Sequence, residues 1–194
     1  FTNALATAIS GLTHLSISDA MGDFVFRPQS DSTPYQSTVM VAAGSGITPL
    51  WSMLSSVRCW TSPIVLFYCV KESRQAAFLT ELKLLAAKQP LFRLQLIETA
   101  ASGRLDLVTE LTTNADFSLS QAQYFLCGPA AMSRQYQHDL IQQGVPAAAI
   151  HTELFGLAPP GSAGPVKQAL VLQQGRVSKL QATAGVSLLQ LAEQ

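Results

Sequence analysis

The chain has 194 residues, 48% of them hydrophobic and 12% charged. That is enough apolar material for a packed core, too little charge for disorder, and a length of one domain or one domain plus part of another. Twelve basic and twelve acidic residues cancel and no basic cluster stands out, so the field that draws proteins to nucleic acid or anionic lipid is missing and small ligands are the expected partners.

Along the chain, Ala4–Ile9 has the spacing of a short helix and Leu15–Ser18 alternates as a strand does. Gly22 and Pro28 bracket another extended piece at 23–27, and the polar run QSDSTPYQS at 29–37 reads as a loop and a domain boundary. From there short apolar runs alternate with helical stretches, the pattern of a parallel sheet with crossover helices. Thr38–Ala43 is a strand, GSGITP a turn, and Leu50–Val57 a helix. Ile64–Val70 is a second strand, followed by a helix from Gln75 to Lys88 with Phe78, Leu79, Leu82 and Leu85 on one face and Pro90 past its end. Phe92–Ile97 is a third strand, leading through the loop TAASGR to a weaker helix at Leu105–Leu111. Gln123–Leu126 is a fourth, followed by CGP and a helix over Ala131–Gln143 that Gly144 closes. His151–Phe155 is the fifth. Together they predict an α/β fold, a doubly wound five-stranded parallel sheet with right-handed crossovers.

Residues 157–165, LAPPGSAGP, have the composition of a linker. Beyond them Ala169–Leu172 and Val177–Ala182 flank Gly175-Arg176 as a hairpin would, and Ser187 caps a helix starting at Leu188. So short a tail buries too little surface to stand alone. The longest apolar run, Ile64–Val70, is far below the ~20 residues of a membrane span. Cys59, Cys69 and Cys127 form no CxxC pair, which favours a reduced, cytoplasmic setting. A start at Phe1 with no basic leader reads as a portion of a longer protein without a signal peptide.

Two turns carry the chemistry. In Gly44-Ser45-Gly46-Ile47-Thr48-Pro49, glycines at a strand-to-helix handover let backbone N–H groups approach an anion such as a pyrophosphate, and Pro49 suits a first helical turn. The alternative is a tight turn that needs glycine for its dihedrals alone. The pattern is GxGxxP, which departs from the GxGxxG of ordinary dinucleotide dehydrogenases. Cys127-Gly128-Pro129, with Met132, ends the fourth strand beside the first turn if the sheet order reverses between strands one and four, and ligands of open α/β sheets bind at that crevice. The alternative for Cys127 is an inert buried thiol. His14, His138 and His151 have no metal-ligand spacing, and Ser45 is in no GxSxG elbow.

In this order GSGITP, FLCGPAAM and HTELF, with GRL at Gly103–Leu105, QAAFLTEL at 75–82, and FTNAL and MGDF near the start, resemble the ferredoxin reductase family of flavoproteins. The resemblance implies that residues 1–37 are the last part of an FAD-binding β-barrel, 38–156 an NAD(P)-binding domain, 157–165 a linker and 166–194 the opening of a truncated plant-type [2Fe–2S] ferredoxin domain, a partial β-grasp. It implies NAD(P)H and FAD as cofactors, with a [2Fe–2S] cluster in the parent protein but not on this stretch, which ends before the cluster cysteines. The barrel's Arg-x-Tyr-Ser/Thr flavin signature is absent.

Carried over, Gly44, Ser45, Gly46, Thr48 and Pro49 would hold the dinucleotide, and Cys127 and Gly128, with Pro129 and Met132, would flank the nicotinamide. Phe155 would face the flavin with Glu153 nearby, which makes Cys127, Glu153 and Phe155 the catalytic candidates, while Thr2 would touch the flavin pyrophosphate. The alternatives are a core aromatic for Phe155 and a solvated carboxylate for Glu153. Lys71, Arg74 and Arg104 would favour the 2′-phosphate of NADPH, whereas Glu72 would accept from the free ribose hydroxyls of NADH, so the preference stays open. Solvated surface charges are the alternative for Arg74 and Arg104. The implied function is an NAD(P)H-dependent oxidoreductase that passes a hydride to FAD and then single electrons to an iron–sulfur centre. A redox protein or an oxygenase or desaturase component would be the acceptor. The competing expectation is a non-catalytic dinucleotide-binding regulatory or scaffold module.

Overall fold

The computed structural model describes residues 22–27, 35–113, 118–155, 167–173 and 176–182. Strand β1 (Ser37–Ala43) is buried up to its last residue and β2 (Ile64–Val70) along its whole length, as their near-continuous apolar sequence requires of strands covered on both faces. With β3 (Phe92–Glu98), β4 (Ala122–Pro129) and β5 (Ile150–Phe155) they form a parallel sheet of order β3-β2-β1-β4-β5. The expected five-stranded sheet is therefore present, and its order reverses between β1 and β4.

Alternate residues of each strand point to opposite faces, and the sequence divides the core accordingly. Met40, Ala42, Leu66, Tyr68, Phe125 and Cys127 face one layer with Leu50 and Leu54 of α1 (Ile47–Ser56) and Leu82 of α2 (Leu79–Lys88). Val39, Val41, Val65, Phe67, Tyr124 and Leu126 face the other, against Leu107 and Leu111 of a helix at Leu107–Thr113 and Tyr136 and Leu140 of one at Ala130–Gln142. A single helical turn, α3 (Thr99–Ser102), precedes these two, which are α4 and α5. Tyr136 donates from its hydroxyl to the Leu105 carbonyl at 3.0 Å, tying α5 to the segment before α4.

Several boundaries differ from the sequence expectation. Helix α1 starts at Ile47, so Pro49 lies inside its first turn, where a missing N–H costs nothing. Helix α2 starts at Leu79 because Ser73–Gln75 forms a separate 3₁₀ turn and Phe78 is left-handed, with φ 57° and ψ 17°. TAAS is helical rather than a loop, held by bonds from the Ala100 N–H to the Lys71 carbonyl (3.2 Å) and from the Thr99 hydroxyl to the Val70 carbonyl (3.1 Å). Helix α4 starts two residues later than expected, after Asp106, whose carboxylate accepts from the Thr109 N–H (3.1 Å) and hydroxyl (2.9 Å). These bonds hold its pKa below the usual aspartate range. Strand β4 continues through Cys127-Gly128-Pro129, so the second turn begins at its very end.

The segment 22–27 crosses the α1/α2 face. Phe24 and Phe26 meet Phe125 edge-on, with centroids 5.6 and 5.4 Å away, and His151 stacks on the same ring at 4.7 Å. A separate two-stranded antiparallel sheet pairs β6 (Lys167–Gln173) with β7 (Arg176–Ala182), the expected hairpin, with Arg176 inside the strand opposite Gln173. The helix at 4–9, the strand at 15–18, most of the loop at 29–37, the linker at 157–165 and the helix from Leu188 lie outside the described residues. No helix among the described residues is long and apolar enough to cross a membrane.

Candidate dinucleotide site

The reversal of strand order between β1 and β4 leaves a crevice beyond their carboxyl ends, and both singled-out turns line it. Gly44 has φ +54°, in the left-handed region, with open space where a side chain would begin. Gly46 is instead pressed against the other turn. A Cβ built there would fall on the Cys127 carbonyl oxygen and lie 2.8 Å from the Gly128 nitrogen. Gly128 is equally confined, since its Cβ would meet the Met132 Cε at 2.9 Å and the Ala43 Cβ at 3.0 Å. The absence of side chains is what lets the two turns touch.

Two helices begin at this contact. Neither α1, after Gly46, nor α5, after Pro129, has a side-chain cap bond or an acidic residue in its first turn. The Ile47 N–H of α1 already donates to the Gly44 and Ser45 carbonyls and Pro49 carries none, but both positive helix ends lie beside the crevice. A pyrophosphate fits beside those helix ends. The Thr48 hydroxyl donates back to the Ser45 carbonyl at 3.0 Å and stiffens the turn. The Tyr68 hydroxyl donates to the Gly44 carbonyl at 3.4 Å from below.

Cys127 is fully buried, and burial, with the Glu153 carboxylate adding to it, pushes its thiol up to about 12. It is a neutral thiol near pH 7, a wall rather than a nucleophile. Register places Glu153 beside Cys127 and Phe155 beside Pro129, so the three catalytic candidates come from one corner of the sheet. The side chain of Phe155 and the whole of Thr2 lie outside what the structure describes.

Beside this corner an open groove of about 690 Å³ runs between 22–25 and 151–154, with Asp23, His151 and Glu153 on its walls. The groove was not anticipated from sequence. Its signal was the period of two in HTELF, which puts His151, Glu153 and Phe155 on one face. Burial against Phe125 lowers the His151 pKa, so the imidazole is neutral near pH 7.

At the β2 end, Arg74 pairs with Glu72 at 2.5 Å, so two of the four residues expected to choose between NADPH and NADH bind each other. Glu98, which sequence reasoning passed over, accepts from the Ser73 N–H at 2.8 Å and holds this loop against β3. Lys71 and Arg104 are exposed. No three His, Cys, Asp or Glu gather among the described residues, so a metal cluster is not placed on them.

Residues 40–138 match the model of the family described as the oxidoreductase NAD-binding domain. An NADPH oxidoreductase of Mycobacterium tuberculosis is 33% identical over 133 residues, which cover 66% of this chain and 34% of that protein. The ferredoxin reductase component of a Rhodococcus rhodochrous 3-ketosteroid-9-alpha-monooxygenase is 31% identical over 137 residues, covering 68% of this chain and 36% of that protein. The chain thus spans little more than a third of either relative. Among solved structures, the flavohem-like FAD/NAD binding domain of a Vibrio cholerae nitric oxide dioxygenase superposes with TM-score 0.56 at 24% identity, over 70% of this chain and 56% of that one. A likeness at this identity speaks to the fold. With the family pattern spanning α1, α2 and most of α5, and the two turns it brackets in contact, the chain belongs to the oxidoreductase NAD-binding domain family.

Proposed function

We propose that this chain is the nicotinamide-nucleotide half of a flavoprotein reductase. The GSG turn and the N-terminus of α1 hold the pyrophosphate of NAD(P)H, and the Cys127–Met132 turn lies along the nicotinamide. The observation that carries this reading is the contact of Gly46 with Cys127 and Gly128, which merges two turns into one cleft. Hydride transfer is the chemistry that the nicotinamide and flavin supply when bound. The residues of this chain orient: Gly44 leaves room for the phosphates, and the neutral Cys127 walls the cleft. Glu153 and, by register, Phe155 edge the corner where a flavin would meet the nicotinamide. Phe155 against the flavin ring and Thr2 at the flavin pyrophosphate belong to this proposal, as do Lys71 and Arg104 as contacts to a 2′-phosphate.

The further assignments follow from the resemblance. Residues 1–37 are the end of an FAD-binding barrel and 166–194 the opening of a ferredoxin-like domain. The iron–sulfur centre that takes single electrons lies in another part of the protein, and the final acceptor is a redox protein or an oxygenase or desaturase component. One relative is itself named as the reductase component of a monooxygenase, which supports this acceptor class. The test is to give the full-length protein NADPH or NADH without oxygen, with a dye acceptor. Bleaching of the flavin band and dye reduction are expected. Tight dinucleotide binding with no bleaching would favour the regulatory module, and no binding of either nucleotide would overturn the proposal.

A further inference from the structure

Tyr68 of β2 is fully buried in the layer that faces α1 and α2. A hydroxyl carried into such a layer costs stability unless it is hydrogen-bonded. This one is bonded twice. It accepts from the N–H of Ala77, in the segment before α2, and donates to the Gly44 carbonyl at 3.4 Å. The same carbonyl accepts from the Ile47 N–H, so the Gly44–Ser45 peptide is held from two directions.

The direction in which this peptide points decides what an anion meets at the turn. Every peptide bond among the described residues is trans, and in a trans peptide the C=O and N–H point opposite ways. Turning the Gly44 carbonyl to Tyr68 therefore turns the Ser45 N–H away from it. Strands β2, which carries Tyr68, and β4 lie on opposite sides of β1, so the side away from Tyr68 is the side of the crevice. Gly44 takes this orientation at φ +54° with open space where a side chain would begin. We propose that Tyr68 is a positioning residue for the coenzyme: its hydroxyl sets the peptide so that the Ser45 N–H, and not the Gly44 carbonyl, faces the pyrophosphate. This rests on the function proposed above. Tyr68 touches no ligand and acts through the peptide. Without its hydroxyl the carbonyl keeps only the Ile47 bond, and the turn loses a brace that keeps a backbone donor aimed at the phosphates.

The test is single-turnover bleaching of the flavin in the full-length protein, without oxygen, by two hydride donors: NADH, and reduced nicotinamide riboside, which carries no phosphate. Tyr68→Phe keeps the ring in the core and removes the hydroxyl. It should raise the half-saturating NADH concentration about tenfold, the scale of one hydrogen bond to a charged group, and leave the limiting rate unchanged. The riboside should bleach the flavin of both proteins at the same rate. A hydroxyl that served the fold alone would lower Tm without separating the two donors. Equal losses with both donors, or an unchanged half-saturating NADH concentration, would overturn the positioning role while leaving the dinucleotide site standing. A wild-type protein that neither donor bleaches would overturn the function first and the role of Tyr68 with it.

Discussion

Replacing Gly46 with alanine probes the contact on which the site depends. The added Cβ would lie 2.8 Å from the Gly128 nitrogen and closer still to the Cys127 carbonyl, where ordinary contact begins near 3.4 Å. The GSG turn must therefore retreat by at least about 0.6 Å from that nitrogen. Both obstacles are backbone, and Cys127 is held in register with Ala42 of β1, so no side chain can swing aside. Overpacking of this kind costs about 1–3 kcal/mol, and rigid surroundings put Gly46→Ala at the upper end. For a chain of this size about 3 kcal/mol lowers Tm by roughly 6–12 °C. Gly44→Ala is the control: its Cβ meets nothing, and only the left-handed backbone costs it, about 1–2 kcal/mol. Thermal melts should order wild type, Gly44→Ala, Gly46→Ala from high to low, and Gly46→Ala should also lose NAD(P)H binding as its cleft parts. A Gly46→Ala protein that melts with the wild type, or above Gly44→Ala, would refute the contact.

Phe78→Gly should unfold at higher urea than Phe78→Ala, by about 1 kcal/mol, because both lose the ring but only glycine accepts φ 57° freely; the reverse order would contradict a left-handed Phe78. Tyr136→Phe removes the bond to the buried Leu105 carbonyl and should cost about 1–2 kcal/mol in the same assay, no change counting against that bond. Native protein at pH 8 should be alkylated at exposed Cys59 and spared at Cys69 and Cys127, as peptide mapping would show. Burial raises the two buried thiols to about 11 and about 12, above their value of 9.0 when free. The unfolded state therefore releases these protons first as pH rises. Stability should fall from about pH 9 upward and should fall less in Cys69→Ala.

The sheet was legible because its central strands are buried on both faces and read as unbroken apolar runs, and the two Gly-containing turns stood where those runs end. What sequence could not supply was distance. GSG and CGP each carried a glycine with two possible explanations, and only the fold shows that Gly46 is glycine because its turn lies on the Cys127–Gly128 backbone, and that Gly128 is confined by Met132 and Ala43. Sequence runs the helix through Phe78 because that residue continues the apolar spacing of α2, while its backbone, not its hydrophobicity, breaks the helix. Glu72 and Arg74 pointed to opposite cofactor preferences in sequence, and in the fold they pair with each other. The packing of Phe24, Phe26 and His151 around Phe125 joins segments from both ends of the domain, which no local pattern encodes.

Amide hydrogen exchange on the full-length protein, with and without NAD(P)H, tests most directly whether one ligand bridges the β1 and β4 turns. The account predicts that peptides over 44–49 and 127–132 slow together, with the same dependence on nucleotide concentration. Protection of one peptide without the other, or of neither at saturating nucleotide, would contradict it.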